Sequence, residues 1–397
     1  MTDARTVWLL VALSLATFVV TSSGSATAPF LQVIAEDLRT DLSAVAHLFS
    51  VQALTWGIAS LVAGTASDRW GRRPILVASV VLLGATRVGF ASAETYAATM
   101  VWQIVSGIGG GAFMGTVFAT VSDNIPAGAR GRALSWIITG QSLSLVLGVP
   151  IVTLLGTLGG WRGALAAHGT FTIACALAVR IATPPDPARH PDANNDKPPL
   201  RLLLQPRLMA LLAAGTTERM CFASLAIFLP TYLQRAYGVS LGPLALALGV
   251  VALGSLIGNV LGGRIADRTR SRSRVFALAS VLTAALALPV LMWQPGLAGS
   301  MTLGFAYSFV NATGRPSLLA TLAEMPSELR GALFGLNVTM ASLGWLLAGS
   351  VGAALIAASG FAGVGAWCAG TALLGAVFAL WSGRLARAAR GASAQSA

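Results

Sequence analysis

Residues 64–74 read GTASDRWGRRP and place four charged side chains between two long apolar runs. The charges are Asp68, Arg69, Arg72 and Arg73, in a chain of which only 10% is charged. A soluble domain normally carries about 25% charged residues. Here 55% of the residues are hydrophobic, and the mean hydropathy is +0.75. The composition therefore predicts a chain that lies mostly in lipid, with this stretch as a polar connection between two membrane spans.

Twelve apolar runs are each long enough for the roughly twenty-residue helix that crosses a bilayer. They predict an all-α membrane protein with twelve transmembrane helices in two six-helix bundles, 1–182 and 207–383. A cytoplasmic linker rich in proline is expected at 183–206, and a basic cytoplasmic tail at 384–397. The predicted spans are 7–30, 43–66, 74–93, 96–121, 132–156, 163–181, 207–233, 241–263, 275–293, 297–322, 331–357 and 361–382.

Lys and Arg residues are distributed unevenly between the two sides of these spans. Twenty of the 26 lie beside the termini, the linker and the even-numbered connections, which predicts that both termini are cytoplasmic. We expect a monomeric, multi-pass protein of the cell (inner) membrane. The bases form short clusters between apolar runs, so the net charge of +12 does not indicate a nucleic-acid partner.

Two motifs recur at half the chain length. GTASDR at 64–69 is echoed by GRIADR at 263–268, where Asp267 and Arg268 match Asp68 and Arg69. IPAGARG at 125–131 is echoed by MPSELRG at 325–331, at an offset of 200 residues. Parallel six-helix repeats of this kind build one large class of secondary transporters. The echoes therefore predict that the two bundles are pseudo-symmetric.

The chain resembles the major facilitator superfamily over its whole length. Its loop signature, G-x-x-x-D-R-x-G-R-R, is matched by Gly64, Asp68, Arg69, Gly71, Arg72 and Arg73. GWR at 160–162 follows the fifth span as in this family, and GVPIVTLLG at 148–156 looks like the fifth-helix motif of the drug:proton antiporter and sugar-efflux-like branches.

The resemblance implies a transporter that works by alternating access, with a gate at the cytoplasmic side. Asp68 and the neighbouring arginines would bond to each other and to the eleventh span, latching the outward-facing state. Gly64 and Gly71 would let backbones approach closely. The alternative is that the arginines only fix topology. The second copy of the motif, with Asp267 and Arg268, is expected to belong to the same gate.

Ionisable residues inside a span are costly and are functional candidates by default. Glu218 is the only carboxylate predicted near the middle of a span; Arg219 follows it on the seventh span, and Arg315 lies on the tenth. At 1.5 Å per residue, Glu218 is about 16 Å and Arg315 about 14 Å from the cytoplasmic side. Glu218 and Arg315 are therefore expected at one level.

The resemblance implies that the first, fourth, seventh and tenth spans line a central cavity. Three polar residues of the tenth span share one face: Tyr307, Asn311 and Arg315. The positions 200 residues earlier, on the fourth span, are all glycine: Gly107, Gly111 and Gly115. The cavity is therefore expected to be polar beside the tenth span and smooth beside the fourth.

Two mechanisms fit these residues. In the first, Glu218 takes up a proton, releases Arg219 or Arg315, and couples the proton to substrate movement. In the second, the two arginines hold an anionic or zwitterionic substrate. A purely structural alternative is a Glu218–Arg315 ion pair, or a snorkelling arginine, that only fixes helix packing.

Drug:proton antiporters usually carry an arginine on the fourth span where this chain has the uncharged Gln103.

The sequence thus favours a secondary transporter of a small organic molecule, with proton-coupled efflux as the main hypothesis and an organic-anion carrier as the alternative. A non-transporting sensor or an enzyme is a remote alternative, since the chain has no HExxH, GxSxG or His cluster. No cofactor or metal is expected.

Three polar residues are interpreted structurally. Arg87 is read as a base that snorkels to the outer surface, and His168 as interfacial packing, with a proton relay as the alternative for His168. Asp123 is expected to pair with Arg130.

Overall fold

The computed structural model describes residues 4–126, 129–185, 205–269, 271–323 and 327–395, and these residues are mostly helical. This part of the chain contains no strand, and the predicted all-α class is confirmed. Most of the predicted linker, 183–206, lies outside the described residues. The α-helices are α1 (Ala4–Ser25), α2 (Leu31–Asp37), α3 (Leu42–Trp70), α4 (Arg72–Ala91), α5 (Tyr96–Asn124), α6 (Arg130–Leu143), α7 (Val149–Ala182), α8 (Pro206–Tyr237), α9 (Leu241–Arg268), α10 (Arg272–Met292), α11 (Leu297–Ala323) and α12 (Ser327–Gln395).

Nine helical stretches of the described residues are long and apolar enough to cross a membrane. Two of them, Ala133–Ala182 and Gly335–Ala388, contain 50 and 54 residues, more than one crossing needs. They bend at Gly160 and Gly360, where φ is +62° and +65°, a conformation that favours glycine. Because α11 is not among the nine, the count of twelve spans stays a prediction.

The chain divides into two compact units. The first comprises Met1–Asn194 with Gly238–Gly249, and the second comprises Asn195–Tyr237 with Val250–Ala397. Each unit has its own apolar core, which includes Leu13, Leu83 and Phe113 in the first and Leu212, Phe276 and Leu322 in the second. The domain limits drawn from the sequence stay a prediction.

Glycines at four-residue spacing bring one pair of helices into close contact in each unit. On α5, a Cβ added at Gly111 would lie 2.3 Å from the backbone oxygen of Trp56 on α3. On α9, a Cβ at Gly258 would lie 2.2 Å from the backbone oxygen of Phe309 on α11. Small residues allow such approach between helices in lipid. The same spacing of contacts extends over Gly107, Gly111 and Gly115 in the first unit and over Gly254, Gly258 and Gly262 in the second.

The third helix of each repeat begins at an arginine that binds back to the helix before it. Arg72 begins α4, and its Nη1 donates to the carbonyl of Gly64 (3.4 Å). Arg272, 200 residues later, begins α10, and its Nε donates to the carbonyl of Ala266 (3.2 Å). The predicted connection of about seven residues is therefore reduced to Gly71, whose φ of +95° separates α3 from α4.

Candidate functional site

Side chains from four helices of the second unit surround a small pocket that contains the predicted charged residues. The pocket is lined by Gly215, Glu218 and Arg219 of α8, Phe276 of α10, Arg315, Leu318 and Leu319 of α11, and Asn337 and Ala341 of α12.

Glu218 is held by its neighbour in the sequence. The Nε of Arg219 donates to Oε2 of Glu218 (2.6 Å), and Nη2 of Arg219 bonds to the other carboxylate oxygen. The two side chains are only 5% and 11% exposed. Adjacent residues on a helix do not face each other, so the long arginine side chain must fold back to reach the carboxylate. The pairing stabilises a buried charge that would otherwise be costly.

Arg315 shares this pocket with the Glu218–Arg219 pair. Among the described residues, no hydrogen bond or ion pair to its guanidinium is found, so the pocket carries one uncompensated positive charge. The ion pair considered between Glu218 and Arg315 is not formed in this structure; Arg219 pairs with both carboxylate oxygens instead, and each oxygen keeps a lone pair for a further donor.

The other two polar residues of α11 lie deeper in the second unit. Tyr307 is 1% exposed, and its hydroxyl donates to the backbone oxygen of Cys221 on α8 (3.2 Å), which joins the two helices. Asn311 is 5% exposed, and its Oδ1 has no partner in the described part of the chain. Of the three residues predicted on one face, only Arg315 lines the pocket.

Three residues beside the charged group were missed by the sequence reasoning. Asn337 lines the pocket from α12. The guanidinium of Arg219 lies over the ring of Phe222, 4.6 Å from its centroid, and Phe222 packs edge-on against Trp345 with 6.0 Å between ring centroids. Residues three apart on a helix are neighbours, so the i, i+3 spacing of Arg219 and Phe222 could have predicted this cation–π contact.

The residues of the fourth predicted span lie in the first unit, where their surroundings differ from those of the pocket. The glycines expected to give a smooth cavity wall instead pack against α3: a Cβ at Gly107 would meet the Thr55 hydroxyl, and one at Gly115 would lie 2.5 Å from the Ser60 backbone oxygen. The expectation of a glycine-lined cavity wall is therefore wrong. Gln103 is 1% exposed, and neither atom of its amide has a hydrogen-bond partner among the described residues.

Arg87 does not snorkel, and the surface interpretation is wrong. Its side chain is completely buried in the first unit, where Nη2 donates to Oγ of Ser106 (2.9 Å). Nε2 of Gln52 donates to the same hydroxyl oxygen (3.0 Å). His168, 6% exposed, is likewise buried, and its Nε2 hydrogen-bonds Oγ of Ser22 (2.8 Å). The position of Arg87 near a predicted helix end did not indicate that its side chain is buried.

Arg72 is the centre of the predicted gate residues. Its Nη2 lies 2.6 Å from Oδ1 of Asp68, its Nε lies 3.0 Å from Oδ2 of Asp123, and its Nη1 donates to the hydroxyl of Ser67. The charges thus join the end of α3, the start of α4 and the end of α5. Asp123 therefore pairs with Arg72 rather than with Arg130, whose Nε donates to the backbone oxygen of Ile125.

The remaining gate residues lie nearer to the surface. Arg69, Asp267 and Arg268 are exposed, and Arg73 is half-buried. A side chain at Gly64 would meet no atom of the described residues within 4 Å, so this structure shows no close backbone approach there. The gating role of these residues stays a prediction.

The GWR motif forms a polar corner at the other end of the first unit. Oδ2 of Asp37 accepts from the indole Nε1 of Trp161 (3.1 Å) and from Nη1 of Arg162. Arg162 also donates to the carbonyl of Ala93 (2.9 Å). Gly160, with its positive φ, bends α7 at this point.

Comparisons with known proteins agree with this architecture. The family model described as Major Facilitator Superfamily matches residues 13–349. The chain is 28% identical over 332 residues to the "Chloramphenicol resistance protein" of Streptomyces lividans, covering 78% of this chain and 83% of the relative. It is 25% identical over 371 residues to the "Inner membrane transport protein YdhP" of Escherichia coli (strain K12), covering 92% and 94%.

A solved structure shares the fold. A bacterial homologue of the human lysosomal transporter Spinster, in an inward-facing and occupied conformation, superposes with a TM-score of 0.75 at 14% identity, covering 97% of this chain and 96% of that one. The extent of the family match, the helical fold and the apolar helices together lead to one conclusion. The chain is an integral membrane transporter that belongs to the Major Facilitator Superfamily.

Proposed function

We propose that the protein exports a small organic molecule in exchange for protons, with Glu218 as the proton-carrying group. The observation that supports this most is the burial of Glu218 in a pocket with two arginines. It is the only carboxylate among the described residues that is buried. Buried ionisable groups of membrane helices mark proton relays and substrate paths.

The charges of the pocket give a physical basis for exchange. With Glu218 ionised, the three side chains sum to one positive charge, and the carboxylate is available to a neutral or cationic substrate as an acceptor. A proton on Glu218 breaks its ion pair with Arg219 and leaves two unneutralised guanidinium groups, Arg219 and Arg315. Like charges at close range repel strongly where water is scarce. Proton and substrate therefore compete for Glu218, and the protonated state favours a different conformation.

The relative named for chloramphenicol resistance gives the first substrate to try. Chloramphenicol is neutral and carries hydroxyl and amide groups, which suit an acceptor such as Glu218 and an amide such as Asn337.

The gate centred on Arg72 would close one side of the transporter during the cycle, as the family signature implies.

An organic-anion carrier is the second candidate, favoured by the guanidinium of Arg315. It has no partner in the described part of the chain, and so offers a fork that matches a carboxylate. In that case the anion binds more tightly when Glu218 is protonated, because the site then holds two positive charges instead of one.

Transport by proteoliposomes distinguishes the two candidates. Wild type, Glu218→Gln and Glu94→Gln, which changes an exposed carboxylate in the connection between α4 and α5, are compared for pH-gradient-driven transport and for counterflow. The panel contains chloramphenicol, lipophilic cations, sugars and organic anions. We expect Glu218→Gln to keep counterflow and lose its response to the pH gradient, while Glu94→Gln behaves as wild type.

Two results would contradict the exchange mechanism. Gradient-driven transport that survives in Glu218→Gln would remove Glu218 as the proton carrier. Transport of anions alone, abolished by Arg315→Gln, would replace antiport with the organic-anion carrier.

A further inference from the structure

A buried cation in the first unit has no counter-charge among the described residues. Arg87 of α4 is 0% exposed, and no carboxylate of the described chain lies within 4.0 Å of its guanidinium. Only Nη2 is satisfied, by the hydroxyl of Ser106, while Nε and Nη1 have no partner in the described part of the chain. A buried charge without a partner is costly, so proteins normally neutralise it.

The groups around Arg87 supply further donors rather than a negative charge. The hydroxyl oxygen of Ser106 accepts from both Arg87 and Gln52, which leaves its own proton as an additional donor. Gln103 lies one turn before Ser106 on α5 and is 1% exposed, and both its Nε2 donor and its Oε1 acceptor are unpartnered among the described residues. The cluster therefore offers free donors on Arg87, Ser106 and Gln103, and its formal charge is +1.

A second helix contact closes the space around this cluster. α7 crosses α4 at a pair of glycines, where a Cβ on Gly169 would lie 2.6 Å from the Gly84 oxygen and 2.9 Å from Cβ of Arg87. The adjoining His168 is held by Ser22 through Nε2, while its Nδ1 is unpartnered among the described residues. The Gly84–Gly169 crossing and His168 thus pack closely around the Arg87 side of the cluster.

We propose that this cluster binds a small monovalent inorganic anion, of which chloride is the physiological example. Arg87 would be its principal ligand, with the Gln103 amide and the Ser106 hydroxyl as neighbouring donors. One monovalent anion neutralises the single positive charge, which a water molecule cannot do. Arg87 lies four residues before the end of α4 at Ala91, or about 6 Å along the axis, which places the proposed site near that end of the helix. The site is separate from the Glu218 pocket and does not depend on the proposed transport mechanism.

The anion site predicts that chloride stabilises the protein. Purified wild type in detergent is melted between 1 and 100 mM chloride, with gluconate holding the ionic strength constant. We expect Tm to rise by about 2–5 °C across this series. Arg87→Gln should lose the rise, whereas Arg180→Gln, which removes an exposed arginine from the same unit, should keep it. Bromide should replace chloride, and acetate should not.

Bromide also provides a test that needs no variant, which matters if Arg87→Gln does not fold. Crystals of wild type grown in bromide should show an anomalous peak beside the Arg87 guanidinium. A wild-type Tm that does not respond to chloride, an equal rise in Arg87→Gln, or no bromide at Arg87 would each overturn the proposal. Stabilisation by acetate instead of halide would overturn the halide assignment in favour of a carboxylate ligand.

Discussion

The tight contact between α9 and α11 predicts opposite outcomes for two Gly→Ala substitutions on the same helix. A Cβ at Gly258 would lie 2.2 Å from the backbone oxygen of Phe309, whereas the closest comfortable C···O distance is about 3.3 Å. The helices must therefore separate by about 1 Å, because a backbone oxygen cannot rotate away. Gly254 and Gly262 make similar contacts at 2.4 Å, so the displacement affects about 12 Å of helix contact. At Gly263, by contrast, an added Cβ meets no described atom within 4 Å.

The cost of Gly258→Ala follows from this overlap. Overpacking of a tight contact costs about 2–3 kcal/mol, which lowers Tm by roughly 4–8 °C. Gly263→Ala makes the same chemical change without the clash, and should be neutral or stabilising by up to about 1 kcal/mol through helix propensity. Thermal unfolding of both variants in detergent measures the difference. A Gly258→Ala protein that melts within about 1 °C of wild type would refute the conclusion that these glycines set the helix spacing.

Two further predictions concern polar contacts within single units. Arg72→Gln should lower the free energy of unfolding by about 1–2 kcal/mol, a modest amount because both carboxylates it binds are partly exposed and can be hydrated. A double-mutant cycle with Asp123→Asn should give a coupling of about 0.5–1.5 kcal/mol, and strictly additive effects would contradict the Arg72–Asp123 pairing. Tyr307→Phe removes one buried hydrogen bond between α11 and α8 and should cost about 1 kcal/mol. An unchanged or higher Tm would show that this hydroxyl does not stabilise the helix pair.

The helices and the connecting motif were predictable because their signals are local. The apolar run at 96–121 became α5, Tyr96–Asn124, since hydrophobicity and the flanking polar residues fix a helix within a few positions. The signature around Gly71 likewise identified a real break, between α3 and α4. Counting residues along two spans predicted that Glu218 and Arg315 lie at one level, and in the structure both line the same pocket.

Contacts that depend on the rotation of a helix were not predictable in the same way. Arg87 near the end of an apolar run suggested an interfacial base, but its face of α4 is directed at α5, which buries it completely. Glu218 was considered with Arg315 because residue counting put the two at one level, yet the side chain of Arg219 is long enough to fold back onto the carboxylate. Gly107 was assigned to a cavity wall, whereas its face of α5 packs against α3.

The two repeats carry their close-packing glycines on opposite helices of the equivalent pair, and this affects which substitutions each half can accept. In the first unit the small residues lie on the fourth predicted span, while in the second they lie on the eighth, so α11 retains full side chains at positions 307, 311 and 315. Equivalent positions of the two halves are therefore expected to tolerate different side chains. A scan of all substitutions should find that larger side chains are rejected at the glycines of the fourth span (α5) but accepted at the equivalent positions of the tenth (α11). It should likewise find that they are rejected at the glycines of the eighth span (α9) but accepted at the equivalent positions of the second (α3). The two halves thus obtain close helix contacts from opposite members of the same helix pair, and a substitution accepted in one half is not expected to be accepted at the equivalent position of the other.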